Sequence, residues 1–186
     1  DCDSYQIEAY PCPKGTIIYT PPELQWKPFE TVLRSFGNEY FSIATLLFML
    51  MLPGKAPYAQ QGGGSPEENI RKMNFSYACG ELKNGLQPQG PWRLMWSHLP
   101  KKVKEMFYST FRKGEANSTE ATRFTTSQWL NQFREYKKLL APDGYLLKND
   151  EMSNWIYPTR LKDHDVTCKN CKIVFRYKDG MHGYCP

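Results

Sequence analysis

The sequence predicts a mainly α-helical fold around one buried central helix, with a small cysteine-bearing unit at the C-terminal end. Residues 41–52 form the longest apolar run, and two later stretches repeat apolar residues at helical spacing. Near the end, Cys168 and Cys171 form a Cys-x-x-Cys pair, with Cys185 following. Aromatic residues make up 15% of the chain, so it carries enough apolar surface for a core, unlike a disordered chain.

Charge and length exclude some classes of protein. The 24 basic and 19 acidic residues are spread along the chain, so the net charge of +5 does not indicate nucleic-acid binding. The apolar run is far shorter than the roughly 20 residues that cross a bilayer, so no membrane partner is predicted. The Cys-x-x-Cys pair suits a metal better than a disulfide, which favours the reducing cytoplasm.

The first half of the chain predicts a loop, a buried helix and a short helix. Residues 1–27 are rich in Pro, Tyr and Gly without a helical period, which predicts an extended loop ending in a turn. Residues 31–52 are apolar nearly all round, which predicts a helix buried on every side. Ser65 is the expected N-cap and Pro66 the first residue of a short helix over 66–75.

The second half predicts two amphipathic helices. Residues 80–91 form an irregular connector, and apolar spacing then predicts a helix over about 100–113. A further helix begins after an N-cap at Thr125 or Thr126 and runs to about residue 140. The chain therefore divides into a helical unit over 1–140, a linker over 141–163 and the cysteine-bearing unit over 164–186.

One motif carries a resemblance to a known family. Residues 15–23 read Gly-Thr-Ile-Ile-Tyr-Thr-Pro-Pro-Glu. This resembles the G-T-x-x-Y-x-A-P-E end of the activation segment of serine/threonine protein kinases, with Pro21 in place of Ala. The triplet Asp1-Cys2-Asp3 stands 22 residues before Glu23, about where the D-F-G triplet of a kinase precedes A-P-E.

Two further stretches extend the resemblance. Residues 39–44, Glu-Tyr-Phe-Ser-Ile-Ala, resemble the D-x-W-S-x-G that opens the central helix of kinases. Arg123 opens R-F-T-T-S-Q-W-L, which is similar to the R-P-T-x-x-x-x-L of the last part of the kinase fold. The resemblance therefore covers residues 1–140 and implies the C-terminal lobe of a protein kinase.

The resemblance also implies roles for individual residues. Thr16 would hydrogen-bond the catalytic Asp, and Glu23 would pair with Arg123. Glu39 would accept hydrogen bonds from the catalytic loop, and Asp1 would bind magnesium. The platform for a protein substrate would consist of Gly15, Thr16, Ile17, Ile18 and Tyr19.

Several parts that phosphoryl transfer requires do not occur in these residues. Kinases need a Gly-rich loop, a phosphate-binding Lys and a catalytic-loop Asp and Asn. The Gly62-Gly63-Gly64 run lacks the G-x-G-x-x-G spacing and predicts a flexible loop. The expectation is that the chain is a fragment of a larger kinase, inactive alone, and that ATP and Mg are cofactors of the complete parent.

The C-terminal cysteines resemble the knuckles of a zinc ribbon, with Cys168, Cys171 and Cys185 as ligands and a β-hairpin through residues 173–177. Zinc takes four ligands, so three cysteines predict an incomplete site and a chain cut short at this end. Two alternatives stay open. His182 is either a substitute ligand or a hairpin-loop residue, and the cysteines are either ligands or free thiols.

The variant motifs together look most like a bacterial kinase group with C-terminal zinc-ribbon or helix-hairpin-helix appendages. That resemblance implies a von Willebrand A-domain protein and a phosphatase as partners. Two other interpretations stay open. The chain could belong to a noncatalytic pseudokinase scaffold that binds protein or nucleic acid. It could also be an unrelated helical domain, in which case Glu23 and Arg123 lie far apart.

Overall fold

The chain is mainly α-helical, as predicted. A computed structural model describes residues 6–61, 63–79, 87–88, 91–141, 163–167 and 174–178. The helices in that part are α1 (Phe36–Met51), α2 (Pro66–Lys72), α3 (Trp92–Ser97), α4 (Lys101–Phe111) and α5 (Thr126–Leu140). The strands are β1 (Gln60–Gln61), β2 (Gln87–Pro88), β3 (Asp163–Thr167) and β4 (Val174–Lys178). None of the described helices is long and apolar enough to cross a membrane.

The described segment before α1 contains no α-helix, in agreement with the predicted loop. Its helical structure is limited to three single 3-10 turns, Ile17–Tyr19, Pro22–Leu24 and Phe29–Thr31. Prolines at positions 21, 22 and 28 lack the N–H that a continuing helix needs. The backbone of this segment therefore depends on side-chain and turn hydrogen bonds.

Helix α1 begins five residues later than the predicted start at residue 31. Ser35 is its N-cap, and the Ser35 hydroxyl accepts a hydrogen bond from the backbone N–H of Asn38 at 3.2 Å. The Asn38 side chain accepts one in return from the backbone N–H of Ser35 at 2.9 Å. This reciprocal capping box satisfies two N–H groups at the helix start and sets the boundary.

The expectation that α1 is buried on every side is wrong. One face is fully buried, with Phe41, Ala44 and Phe48 at 0% exposure. On another side, Phe36 is 81% exposed and Leu50 is 68% exposed. The reason is that the described neighbours of α1, chiefly α4 and the first 3-10 turn, leave these side chains uncovered.

An aromatic cluster forms the core around the buried face of α1. The Phe48 ring meets four other rings edge-on at centroid distances of 5.2–5.9 Å: Phe75, Tyr77, Phe107 and Phe111. Edge-to-face pairs of this kind add about 0.5–1.5 kcal/mol each beyond the burial of apolar area. Helix α5 joins the cluster through Trp129, whose ring lies 4.8 Å from that of Phe107.

The remaining helices follow their predicted caps more closely than their predicted ends. Ser65 caps α2 by accepting from the Glu68 N–H at 3.2 Å. Helix α2 ends at Lys72 rather than near residue 75, because Met73 adopts a left-handed conformation with φ of 52°. Thr125 caps α5 in a capping box with Gln128. Helix α3 was not predicted, since six residues are too few to display a helical period.

Strands β3 and β4 form an antiparallel pair in which Thr167 lies opposite Val174. The predicted hairpin over 173–177 coincides with β4 alone. Its partner β3 precedes Cys168 and overlaps the end of the predicted linker. The short pair of β1 and β2, in which Gln60 lies opposite Pro88, was not predicted, because two-residue strands carry no alternating pattern.

Candidate functional site

The turn that follows Gly15 is held by hydrogen bonds to its own backbone. The Thr16 carbonyl accepts from the backbone N–H of Tyr19 at 2.9 Å and from that of Thr20 at 3.1 Å. The Thr20 hydroxyl donates to the same carbonyl at 3.0 Å. From outside the turn, the buried Gln25 amide donates to the carbonyls of Ile17 at 3.1 Å and Thr20 at 2.7 Å. The turn is therefore fixed without the help of its outward side chains.

The Thr16 hydroxyl belongs to an exposed residue of this turn. Thr16 holds the N-cap position of the turn, yet its side chain makes no cap hydrogen bond. Within the part of the chain that the structure describes, the hydroxyl has no other hydrogen bond either. The hydroxyl of an N-cap threonine usually accepts a hydrogen bond from the backbone N–H two or three residues further along the chain. This hydroxyl is instead available to a group outside the turn.

The residues before Gly15 are attached to the segment that leads into α1. The Gln6 amide donates to the Arg34 carbonyl at 3.0 Å, and the Arg34 N–H donates to the Gln6 side-chain oxygen at 2.6 Å. The Arg34 guanidinium also donates to the Lys14 carbonyl. Gly15 packs so closely that a Cβ there would lie 2.7 Å from the Phe29 ring. The loop before Thr16 is thus held by hydrogen bonds to the segment before α1 and by close packing at Gly15.

The pairing of Glu23 with Arg123 expected from the motifs is present. The two Arg123 Nη atoms donate to the two carboxylate oxygens of Glu23 at 2.6 and 2.7 Å. The residues are 100 positions apart in sequence. The Arg123 side chain is 1% exposed and that of Glu23 is 27% exposed. A bidentate pair with this degree of burial fixes the end of the 15–23 segment beside α1 and the start of α5.

Electrostatics at the pair favour the charged form of the carboxylate. Burial by itself would raise the pKa of Glu23. The hydrogen bonds and positive charge of Arg123, helped by the Asn38 amide, outweigh that effect and hold the pKa below its ordinary value. On its other side the guanidinium lies over the Phe41 ring, 5.2 Å from the centroid, where it gains a cation–π contact.

Two residues at the start of α1 complete the pair and were missed from sequence. The Asn38 amide donates to Glu23 at 2.7 Å, and the Gly37 carbonyl accepts from Arg123 at 3.0 Å. Gly37 has no room for a side chain, because a Cβ would lie 2.1 Å from the Glu120 carbonyl oxygen. The Ser35-x-x-Asn38 spacing could have indicated the cap, but no sequence signal marks the contacts of Gly37.

The turn and helix α1 also meet directly. The Ser42 hydroxyl donates to the Tyr19 carbonyl at 2.8 Å. A cavity of about 40 Å³ lies between the two elements, and Thr16 and Glu39 are both among its lining residues. The Glu39 side chain is exposed and makes no hydrogen bond among the described residues, although its backbone N–H donates to the Ser35 carbonyl at 3.2 Å. The two predicted site residues Thr16 and Glu39 therefore border the same small cavity.

The predicted metal ligands fall elsewhere. Asp1, Cys168, Cys171 and Cys185 lie outside the described residues. Across the described ranges, no group of three or more His, Cys, Asp or Glu side chains could hold a metal ion. The cysteines in those ranges are Cys12, which is buried, and Cys79, which is half-buried, and neither forms a disulfide.

Comparison of the sequence with known proteins does not assign the chain to a family. No family model matches the sequence, and no curated protein matches it.

Proposed function

We propose that residues 1–140 form the C-terminal lobe of a serine/threonine protein kinase. They would carry the end of the activation segment and the platform for a protein substrate, and residues 164–186 would be part of a zinc ribbon. ATP and Mg would serve the phosphoryl transfer of the complete kinase, with Asp1 as a magnesium ligand. Asp1 would hold the metal, which would supply positive charge that stabilises the transfer.

The observation that carries the proposal is the bidentate contact between Glu23 and Arg123. The motif resemblance by itself makes these two residues partners. An unrelated helical domain with a chance G-T-x-x-Y-x-x-P-E run has no reason to bring them together across 100 positions. The contact also joins the three matched stretches, since Phe41 of the 39–44 stretch lies beneath the guanidinium.

The environment of Thr16 supports the role proposed for its side chain. The carbonyl of Thr16 accepts from three local donors, while its hydroxyl takes part in none of those bonds. In a kinase this hydroxyl would bond the catalytic Asp and help to seat the substrate hydroxyl. Glu39, at the same cavity, would meet the backbone of the catalytic loop. Both residues are exposed, as partners supplied by another segment would require.

The uncovered face of α1 gives the proposal a second line of support. The central helix of a kinase lobe packs against other segments on all sides. In this chain the apolar residues of α1 exceed what the described neighbours cover, because Phe36, Leu46 and Leu50 are exposed. The rest of a kinase domain would bury such a face.

Phosphorylation of serine peptides by the gene product that contains this chain tests the proposal. We expect Thr16→Ala to lower kcat/KM on the order of 100-fold, because the catalytic groups lose their alignment with the substrate hydroxyl. Thr16→Ser keeps the hydroxyl and should keep most of the activity. The matched control is Thr31→Ala, which removes an exposed hydroxyl from a later turn of the same segment.

Two results would count against a kinase. Transfer of phosphate that is equally fast in the Thr16→Ala and Thr31→Ala proteins would remove the role of Thr16. No transfer at all by the folded gene product would favour the noncatalytic scaffold instead.

The zinc ribbon has its own measurement. Thiolates are preferred zinc ligands, and Cys168 follows β3 directly. We expect one equivalent of zinc per chain in the purified gene product, lost in the Cys168→Ser, Cys171→Ser double variant. The matched control is Cys12→Ser, which changes a buried thiol elsewhere. Less than one equivalent in the unaltered protein would contradict the site.

A further inference from the structure

A cavity of about 380 Å³ adjoins the turn that contains Thr16. It lies between Ile18 of that turn, the loop that follows α1, and the start of α2. Its volume is within the range of about 300–1,000 Å³ that is usual for binding pockets. Ile18 is one of the five residues proposed as the substrate platform, so this cavity adjoins that surface.

The walls of the cavity are uncharged. None of its described lining residues is Asp, Glu, Lys, Arg or His, and Ile18, Pro57, Ala59 and Ile70 supply apolar surface. A charged side chain that entered would lose its water without gaining an opposite charge, which is costly. An apolar side chain would instead gain by leaving water.

The amide groups at the cavity are bonded to one another. The Gln60 amide donates to the Asn69 side-chain oxygen at 3.1 Å, and the Asn69 amide donates to the Gly63 carbonyl at 3.2 Å. Asn74 donates to the same Asn69 oxygen at 3.2 Å. The Asn69 side chain already makes hydrogen bonds with three partners. It therefore stabilises the wall of the cavity and is not available to bind a charged ligand.

The wall is held in shape before anything binds. Ile70 and Asn69 are 2% and 5% exposed. Tyr58, also at the cavity, is buried, and its hydroxyl donates to the Phe111 carbonyl at 2.9 Å. Gly64 adopts a φ of 87° and approaches so closely that a Cβ would lie 2.8 Å from the Asn69 side chain. A pre-formed pocket loses little entropy when it is filled.

From these observations we infer that the cavity selects an uncharged, apolar side chain of the protein substrate, at one position within a few residues of the phosphoacceptor. This inference rests on the proposed function, because that function makes the neighbouring turn the substrate platform. It adds the class of substrate: sequences with an apolar anchor near the phosphorylated Ser or Thr. Sequences with Arg, Lys, Asp or Glu at that position would be poor substrates.

A positional scanning library of Ser/Thr peptides tests the inference on the gene product that contains this chain. We expect one flanking position to prefer Leu, Ile or Met over Arg and Asp by about tenfold or more in kcat/KM. Ile18→Glu places a carboxylate in the wall and should shift the preference at that position toward Arg and Lys. The matched control is Leu33→Glu, which adds the same charge at an exposed apolar residue outside the lining.

A second experiment distinguishes the pocket inference from the kinase proposal. It measures, by fluorescence anisotropy, the binding of the same peptides to the 186-residue chain. If peptides are phosphorylated without an apolar preference, or if Ile18→Glu leaves the preference unchanged, the pocket inference is overturned and the kinase proposal stands. If nothing is phosphorylated but the chain binds Leu peptides and loses them in Ile18→Glu, the kinase proposal fails and apolar recognition stands. If neither occurs, both are overturned.

Discussion

Helix α1 has two apolar faces that meet different surroundings. Phe41, Ala44 and Phe48 are fully buried in the aromatic cluster. Phe36 and Leu50, on the same helix, are 81% and 68% exposed. The side chains on the two faces are similar in hydrophobicity, so residue type does not separate them. What separates them is whether another described element lies within packing distance.

The difference matters for function as well as for stability. A helix that packs in the core on one side and exposes apolar residues on the other is typical of an interaction surface. The ion pair between Glu23 and Arg123 packs on the buried side, with Arg123 against the Phe41 ring. The buried face thus serves this chain's own fold, and under the proposed function the exposed face serves the rest of the kinase.

The buried face should show the largest effect of substitution. Phe48→Ala removes the ring that contacts Phe75, Tyr77, Phe107 and Phe111 and leaves a cavity at the centre of the cluster. We expect a loss of about 3–5 kcal/mol in the free energy of unfolding. Urea denaturation of the 186-residue chain, followed by tryptophan fluorescence, measures it.

The matched change on the exposed face is Leu50→Ala. We expect it to alter the free energy of unfolding by no more than about 0.5 kcal/mol, because an exposed side chain gives up little contact. Equal losses for the two variants would mean that α1 has no uncovered face in solution.

Breaking the ion pair beside the buried face should lower the free energy of unfolding by less than Phe48→Ala does, but still substantially. Arg123→Met leaves the Glu23 carboxylate without its partner, and we expect a loss of about 3 kcal/mol. Adding Glu23→Leu should restore much of that stability, because the unpaired charge is then gone. The same denaturation experiment at pH 7 checks both, and a double variant no better than Arg123→Met would contradict a pairing role.

The smallest expected effect is a dependence of this loss on pH. The folded-state pKa of Glu23 lies below its ordinary value of 4.5, so the pair stabilises the fold above about that pH. This contribution disappears as the pH falls through the lowered pKa, where the carboxylate is protonated. The stability gap between the unaltered chain and Arg123→Met should therefore narrow as the pH falls below 4.5. A gap that stays constant from neutral pH down to strongly acidic pH would show that Glu23 does not titrate with the pair.

Some helix boundaries could be predicted from the sequence and others could not. The N-cap Ser65 could be predicted, and that of α5 narrowed to Thr125 or Thr126, because a hydroxyl followed by helix formers satisfies the first N–H groups of a helix. The start of α1 was predicted too early, because its apolar pattern begins before the Ser35 cap. The end of α2 depended on a left-handed Met73, a conformation that its residue type does not suggest.

Of the candidate site, only the residues that stand in recognisable motifs could be predicted from the sequence. Glu23, Arg123 and Thr16 stand in recognisable stretches, and the partnership of the first two followed from the resemblance. Gly37 contributes a backbone carbonyl, and its lack of a side chain matters because of the Glu120 backbone beside it. No pattern of residues encodes a carbonyl that accepts across 86 positions.

The sequence by itself determined that the chain is mainly helical and where the N-caps of α2 and α5 lie, and its motifs indicated that Glu23 pairs with Arg123. These follow from periodicity, hydrogen-bonding side chains at helix ends and short motifs, all of which act over a few residues. Only the tertiary structure decided which face of α1 is buried, that Asn38 and Gly37 join the ion pair, and that an uncharged cavity lies beside Ile18. Those features depend on distances between segments far apart in the chain, which are set by how the whole core packs.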